Sequence, residues 1–395
     1  MSRHILCINS GSSSIKFALY RLGPEEELLA KGAVEHIGMP GSWLWLEDGT
    51  GKHLASRQED FPDHRKAIQA MMALAVDDYR LPPPDGVGHR LVHGGPHHTS
   101  PEIVTPQLLL ALRKLIPFAP LHLPSEIRGI DAVTHNYPEL GQVVCFDTAF
   151  HRHMPEVAQR LPLPRSLWHE GVHRYGFHGL SYEYIVSALG DGVRGRVVVA
   201  HLGNGASLAA LQDGRSQDTT MGFTPIGGLM MGTRSGDLDP GILVYLMDEK
   251  GYNARQFDKL LNHRSGLIGV SGISSDMKTL LEKSSMELHA AQAVEMFCYQ
   301  ARKAVGGLSA ILGGLDGLVF TGGIGERAAP VRRLICDGLE FLGIQLDPER
   351  NEVHGPIISS KDSPCTVRVI PTNEGLMIAR HTQRLLFPGS EQEKQ

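Results

Sequence analysis

Cysteine is scarce in this chain. Cys7, Cys145, Cys298, Cys336 and Cys365 are its only five, scattered through 395 residues with no Cys-x-x-Cys pair. That spacing argues against a disulfide framework and predicts reduced, buried thiols in a cytoplasmic protein. No run reaches the ~20 apolar residues of a membrane span, and the short apolar run after Arg3 is too brief for a signal peptide. There is no basic tract and the net charge is −5, so nucleic acid is not an expected partner. The phosphate loop G-x-x-x-x-G-K-[ST] is missing, which sets aside the P-loop NTPases. What remains, 42% hydrophobic and 21% charged residues, suits a globular protein long enough for two domains with proper cores.

The stretch Ile5-Leu6-Cys7-Ile8-Asn9-Ser10-Gly11-Ser12-Ser13-Ser14-Ile15-Lys16-Phe17-Ala18-Leu19-Tyr20 places two strand-forming runs around a turn of Asn, Ser and Gly. Backbone N–H groups and hydroxyls can converge there on an oxyanion, with Lys16 just beyond. An ordinary polar β-turn fits the local sequence equally well. The layout recurs, however, at Arg196–Leu211, where Gly203-Asn204-Gly205-Ala206-Ser207 separates two apolar runs. Two such hairpins half a chain apart predict a duplicated α/β domain with both turns facing a central cleft. That pattern resembles the actin, heat-shock-chaperone and sugar-kinase superfamily of ATPases, with its ribonuclease H-like core.

Residues 3–35 read as strands and 41–57 as a polar excursion. Asp63 and Thr105 are expected helix caps. Arg90 stands in the apolar strand before Gly94-Gly95; in isolation a surface arginine on an edge strand explains it as well as a functional one. Asp147 ends the buried strand from Gln142, either facing an α/β crevice or capping the next element. Ser181 is expected to cap the helix Tyr182–Leu189. The segment His169-Glu170-Gly171-Val172-His173 matches H-E-x-x-H, but Gly171 and the following loop break the helix a zinc site needs. The Gly-dense stretch Asp218–Pro240 reads as a long functional loop with Arg234 as its anion contact. Asp276 should cap a helix from Met277, and a long helix should cover Glu287–Leu312 and stop at Gly313-Gly314. Gly323-x-Gly325-x-x-Ala328 fits a loose dinucleotide fingerprint. A last helix is expected from Glu374 to about Leu385, and the polar tail 391–395 is expected to be disordered.

Taken in order, Asn9-Ser10-Gly11-Ser12-Ser13-Ser14-Ile15-Lys16, Gly88-His89-Arg90-Leu91-Val92-His93-Gly94-Gly95, Phe146-Asp147-Thr148, Arg174-Tyr175-Gly176-Phe177-His178-Gly179, His201-Leu202-Gly203-Asn204-Gly205, Gly232-Thr233-Arg234-Ser235-Gly236-Asp237, Phe320-Thr321-Gly322-Gly323-Ile324-Gly325-Glu326 and Thr372-Asn373-Glu374 closely resemble the acetate kinase family over nearly the whole chain. The resemblance implies two actin-like domains, 1–147 plus 374–395 and 148–373. It also implies a homodimer and reversible Mg²⁺-dependent phosphoryl transfer between ATP and acetate, with acetyl phosphate and ADP as products and Mn²⁺ as a substitute metal.

Carried over by motif, the resemblance implies Arg90, Asp147, His178 and Arg234 as catalytic residues, with His122 in support. Arg90, Val92, Leu121, Phe177 and Pro225 would hold acetate. Ser12, Ser14, Lys16, His201, Leu202, Gly203, Asn204, Gly205, Asp276, Met277, Lys278, Gly322, Gly323, Ile324 and Gly325 would hold the nucleotide. Asn9 and Glu374 would hold Mg²⁺. Departures from the family pattern are Leu123, Leu180, Tyr182, Arg327 and Gly375; none removes a catalytic group. One extra methylene shifts binding by only ~1–3 kcal/mol, so propionate is the alternative substrate. A chaperone-type ATPase would leave Arg90 and Arg234 without a task, and a nicotinamide oxidoreductase would ignore the paired hairpins.

Overall fold

The computed structural model describes residues 2–389; the tail 391–395 lies outside them. The chain forms two compact units: residues up to Phe150 together with those from Asn373 onward, and His151–Thr372.

The first unit is built on strands β1 (Arg3–Ser10), β2 (Ser14–Leu22), β3 (Glu26–Glu35), β4 (Trp43–Asp48), β5 (His53–Gln58), β6 (Gly86–Leu91), β7 (Glu102–Ile103) and β8 (Gly141–Phe146). They form one sheet in the order β5-β4-β3-β2-β1-β6-β8-β7. Side-chain alternation sorts its faces. Leu6, Ile8, Ile15, Phe17 and Leu19 enter a core with Leu44, Leu46, Ile68 and Val133. On the opposite face of β1, Cys7 Sγ lies 3.1 Å from the carbonyl of Gly375, in the helix Glu374–Leu386. That helix packs tightly on β6. A Cβ at Gly88 would lie 2.4 Å from both Ile378 Cγ2 and Thr382 Oγ1, so only glycine admits the approach.

The second unit carries β9 (Arg196–Leu202), β10 (Ala206–Gln212), β11 (Arg215–Thr219), β12 (Gly317–Thr321) and β13 (Thr366–Val369), in the order β11-β10-β9-β12-β13. Both sheets contain one motif: a three-stranded antiparallel meander whose first strand pairs in parallel with a fourth, and the fourth with a fifth. β3-β2-β1-β6-β8 and β11-β10-β9-β12-β13 are thus the same topology, and the two hairpins anticipated from sequence occupy equivalent places.

Local signals mostly hold. Asp63 accepts from Lys66 N, Thr105 from Leu108 N and Asp276 from Thr279 N. The long helix runs Leu288–Leu312 and ends on Gly313 at φ 71°, while residues 220–240 contain neither helix nor strand. Helix Arg165–His169 stops before Gly171, which sits at φ 84°, so His169 and His173 share no helical face. Two expectations fail. The stretch 41–57 is the β4–β5 hairpin, because Leu44 and Leu46 alternate inward, each 0% exposed, between Trp43 and Trp45. Ser181 caps nothing; the helix Gly179–Leu189 begins earlier, after His178 in the left-handed region at φ 58°.

Candidate active site

In the first unit the polar residues gather where β1, β6 and β8 end. Arg90 near the end of β6 reaches Asp147, which directly follows β8. Arg90 Nε lies 3.1 Å from Asp147 Oδ1 and Nη2 2.5 Å from Oδ2, a bidentate pair. Glu374 Oε2 is 3.7 Å from Arg90 Nε. Burial works against the guanidinium charge, but the carboxylates of Asp147 and Glu374 outweigh it and hold the arginine firmly protonated. This geometry commits Nε and one hydrogen of Nη2; Nη1 has no partner among the described residues and can face an anion. Asp147 is buried, so it is better placed to fix Arg90 than to accept a proton from solvent.

Glu126 is a residue that sequence reading missed. It lies in the first turn of helix Leu123–Asn136, is 3% exposed, and accepts from Val92 N at 3.0 Å. Burial pushes its carboxyl up to about 8 against the pull of Arg90. A first-turn glutamate carries no sequence sign of being buried; the register of the helix decides it.

Around this group, Val92 is buried and Leu121 is 41% exposed. His122 precedes helix Leu123–Asn136. Asn9 pairs with Lys16 across the β1–β2 hairpin. Both lie on the sheet face that carries Cys7, the face on which helix Glu374–Leu386 packs. There Tyr20 Oη donates to Asn373 Oδ1 at 2.7 Å. The turn itself closes through Gly11 N to Ser14 O at 2.7 Å and leaves Ser12 and Lys16 exposed. A hard divalent cation fits this donor set: one carboxylate and one amide, too few for an all-protein cage but suited to an ion that keeps waters and phosphate oxygens.

In the second unit two histidines stack. His178 and His201 have ring centroids 4.2 Å apart and planes 20° apart. His178 Nδ1 is held by Ser207 Oγ at 2.9 Å and His201 Nδ1 by Ser181 Oγ at 2.8 Å. The β9–β10 turn approaches them closely. A Cβ at Gly205 would lie 3.2 Å from His178 Nε2 and 3.8 Å from Arg234 Nη1, so glycine here lets backbone, imidazole and guanidinium meet. Arg234 is held by the Pro225 carbonyl at 3.2 Å, and Gly232 N donates to the Asn204 carbonyl at 3.1 Å. Pro225 and Phe177 are both buried.

Beside this group lies a cavity of about 500 Å³ whose lining includes Gly203, Asn204, Asp276, Met277, Lys278, Gly323, Ile324 and Arg327. Twelve of the residues expected around a nucleotide fall in this second unit, lining the cavity or close to it in the chain. Met277 and Leu202 are buried, however, and can offer little beyond backbone. Glu326 closes the site from below, accepting from Gly322 N at 3.0 Å and Thr372 N at 3.1 Å. Behind it the wholly buried Arg332 donates to the carbonyls of Gly325 and Glu326, each at 2.9 Å. Neither role has a sequence signal beyond the glycine turn itself.

Comparison with known proteins gives one consistent result. The profile described as the acetokinase family matches residues 4–380. The chain is 46% identical to an acetate kinase of Methylocella silvestris, over 98% of both sequences. It superposes on the crystal structure of Porphyromonas gingivalis acetate kinase with a TM-score of 0.90 at 40% identity, covering 97% of this chain and 100% of that one. A propionate kinase structure from Francisella tularensis gives a TM-score of 0.91 at 36% identity, covering 97% and 99%.

Proposed function

The chain belongs to the acetokinase family, with the actin-like fold of that family's solved structures, and we propose that it transfers the γ-phosphoryl group of ATP directly to acetate. The reading rests above all on Arg90: a guanidinium locked onto Asp147 through two nitrogens, with Nη1 left for a substrate anion.

Joining a carboxylate to a phosphate brings two anions together, so catalysis is mainly positioning and charge neutralisation. Arg90 holds the acetate carboxylate, with Val92, Leu121, Phe177 and Pro225 against its methyl group. A carboxylate oxygen attacks the γ-phosphorus as the bond to the β,γ-bridging oxygen breaks, and ADP leaves with that electron pair. Charge spreads over the equatorial oxygens of the moving group. His178 and Arg234 donate to them, with His122 in support and the Asn204–Gly205 backbone alongside. Ser12, Ser14, Lys16 and His201 attend the phosphates, and the cavity between Asp276 and Ile324 takes the adenosine. Glu374 and Asn9 would hold Mg²⁺, or Mn²⁺ in its place, which when bound neutralises the phosphate charge.

The two compact units correspond in this reading to the two actin-like domains. The enzyme is a homodimer of the cytoplasm. Support for a dimer comes from helix Gly241–Lys250, none of whose residues is buried. Its Ile242, Val244, Tyr245 and Met247 are 42%, 54%, 56% and 49% exposed, and a ten-residue helix with no packed face is unstable alone.

The test is acid-dependent ADP release from MgATP with acetate, propionate, butyrate or no acid, hydroxylamine trapping any acyl phosphate. Turnover with acetate and formation of hydroxamate are expected. Faster turnover with propionate would assign the sister activity, and turnover without acid would overturn the reading.

A further inference from the structure

Tyr182 is a departure from the family pattern that turns out to sit directly behind His178. It is 0% exposed, and its hydroxyl lies 2.5 Å from Ser207 Oγ. Ser207, also 0% exposed, is in turn 2.9 Å from His178 Nδ1. The His151 and Tyr182 rings pack edge to face, with centroids 5.5 Å apart, fixing the tyrosine's place. Tyrosine, serine and imidazole therefore form a buried chain ending on the ring whose other nitrogen faces Gly205 and Arg234.

Proton bookkeeping along this chain has a preferred direction. Burial pushes the phenol upward from its usual range, so Tyr182 stays protonated. In a phenol–alcohol pair the more acidic hydroxyl donates. Thr219 also borders the phenol and, having given its own proton to the Leu208 carbonyl at 2.8 Å, could only accept from it; the 2.5 Å contact makes Ser207 the acceptor of the phenol proton. With Tyr182 donating to Ser207, the serine proton points at His178 Nδ1, and that nitrogen accepts. The ring proton is then on Nε2, the end nearest Gly205 and Arg234. The same logic holds for the stacked partner: Thr372 Oγ1 donates to Ser181 Oγ at 2.9 Å, leaving the Ser181 proton for His201 Nδ1 at 2.8 Å.

We propose that Tyr182 is a positioning residue which, through Ser207, fixes His178 as the neutral Nε2–H tautomer and so presents a hydrogen-bond donor rather than a base to the transferring phosphoryl group. The catalytic part of this statement rests on the proposed phosphotransfer; the tautomer does not.

The two are separated by measuring both. In ¹⁵N-histidine-labelled protein near neutral pH, with the His178 signals assigned by their loss in His178→Gln, a protonated Nε2 and an unprotonated Nδ1 are expected. In Tyr182→Phe the ring should populate both tautomers. Turnover should fall about 10–100-fold, the scale by which loss of the partner that orients a metal-bound imidazole lowers activity, while the KM for acetate and for ATP moves less than about threefold, because bound ground states do not use the fixed proton. Should Tyr182→Phe fail to fold, Ser207→Ala carries the same expectation. If both fold, the double variant should be no slower than Ser207→Ala alone. A wild-type His178 protonated on Nδ1, or an unchanged tautomer and turnover in the folded variants, overturns the proposal. Absence of acetate-dependent turnover in the wild type, with the Nε2–H tautomer intact, would instead remove the phosphotransfer reading.

Discussion

Replacing Glu126 by glutamine tests how the first unit manages three carboxyl groups around one guanidinium. Asp147 and Glu374 already face Arg90. Burial holds Glu126 protonated up to about 8, where an ordinary glutamate titrates near 4.5. In the unfolded chain the proton leaves near the lower value; in the folded protein it stays until the higher one. Between them the folded state binds one more proton, so stability falls as pH rises, at roughly 1.4 kcal/mol per pH unit for a full proton. Across the window from about 4.5 to 8, the ceiling is about 4–5 kcal/mol, reduced by whatever relaxation an ionised Glu126 induces. Glutamine keeps the acceptor for Val92 N and has no charge to bury. Glu126→Gln should therefore match the wild type at pH 5 in urea unfolding and exceed it by a growing margin at pH 6, 7 and 8. A constant offset across that range, or wild-type stability that rises between pH 5 and 8 relative to the variant, refutes the argument.

Other outcomes follow from the same geometry. Arg90→Ala and Arg234→Ala should each lower turnover on the order of 10³-fold, as for other phosphoryl-transfer arginines; steady-state rates falling less than tenfold in both would remove their assigned roles. Glu374→Ala should shift the Mg²⁺ activation curve to higher concentration, and an unchanged curve would exclude it as a ligand. Val244→Glu with Tyr245→Lys should convert a dimer to a monomer in sedimentation while leaving the far-ultraviolet circular dichroism unchanged. A sedimentation profile identical to wild type would place the dimer surface elsewhere.

Much of the fold was legible because local signals agreed with global ones. The paired hairpins announced the duplication, and Asp63, Thr105, Asp276 and Gly313 marked helix ends through hydrogen bonds made within a few residues. The β4–β5 hairpin was legible too, in the alternation of Leu44 and Leu46, but the surrounding polar residues masked it. The site divides the same way. Glycine turns and Arg90 stand out in a sequence, since a charge in an apolar strand or a cluster of glycines is locally odd. Glu126, Ser207, Glu326 and Arg332 do not. Glu126 acquires its task from Val92, 34 positions away, Ser207 from His178, 29 away, and Glu326 in part from Thr372, 46 away. Ser181 shows the converse, a plausible cap in sequence that the left-handed backbone of His178 displaces into the helix, where it supports His201.

The return of the last helix to the first sheet has a consequence for how the protein is made. Helix Glu374–Leu386 packs against β1, β6 and β8, strands that leave the ribosome more than two hundred residues earlier. The second unit, being contiguous, can complete itself as soon as it emerges. The first must wait with the β6 face around Gly88, which Ile378 and Thr382 later cover, still wet. The first unit thus closes only with the last helix, against the usual amino-to-carboxyl order of domain folding. A chain stopped just short of Glu374 would expose an apolar parallel-strand face, the kind of surface that aggregates.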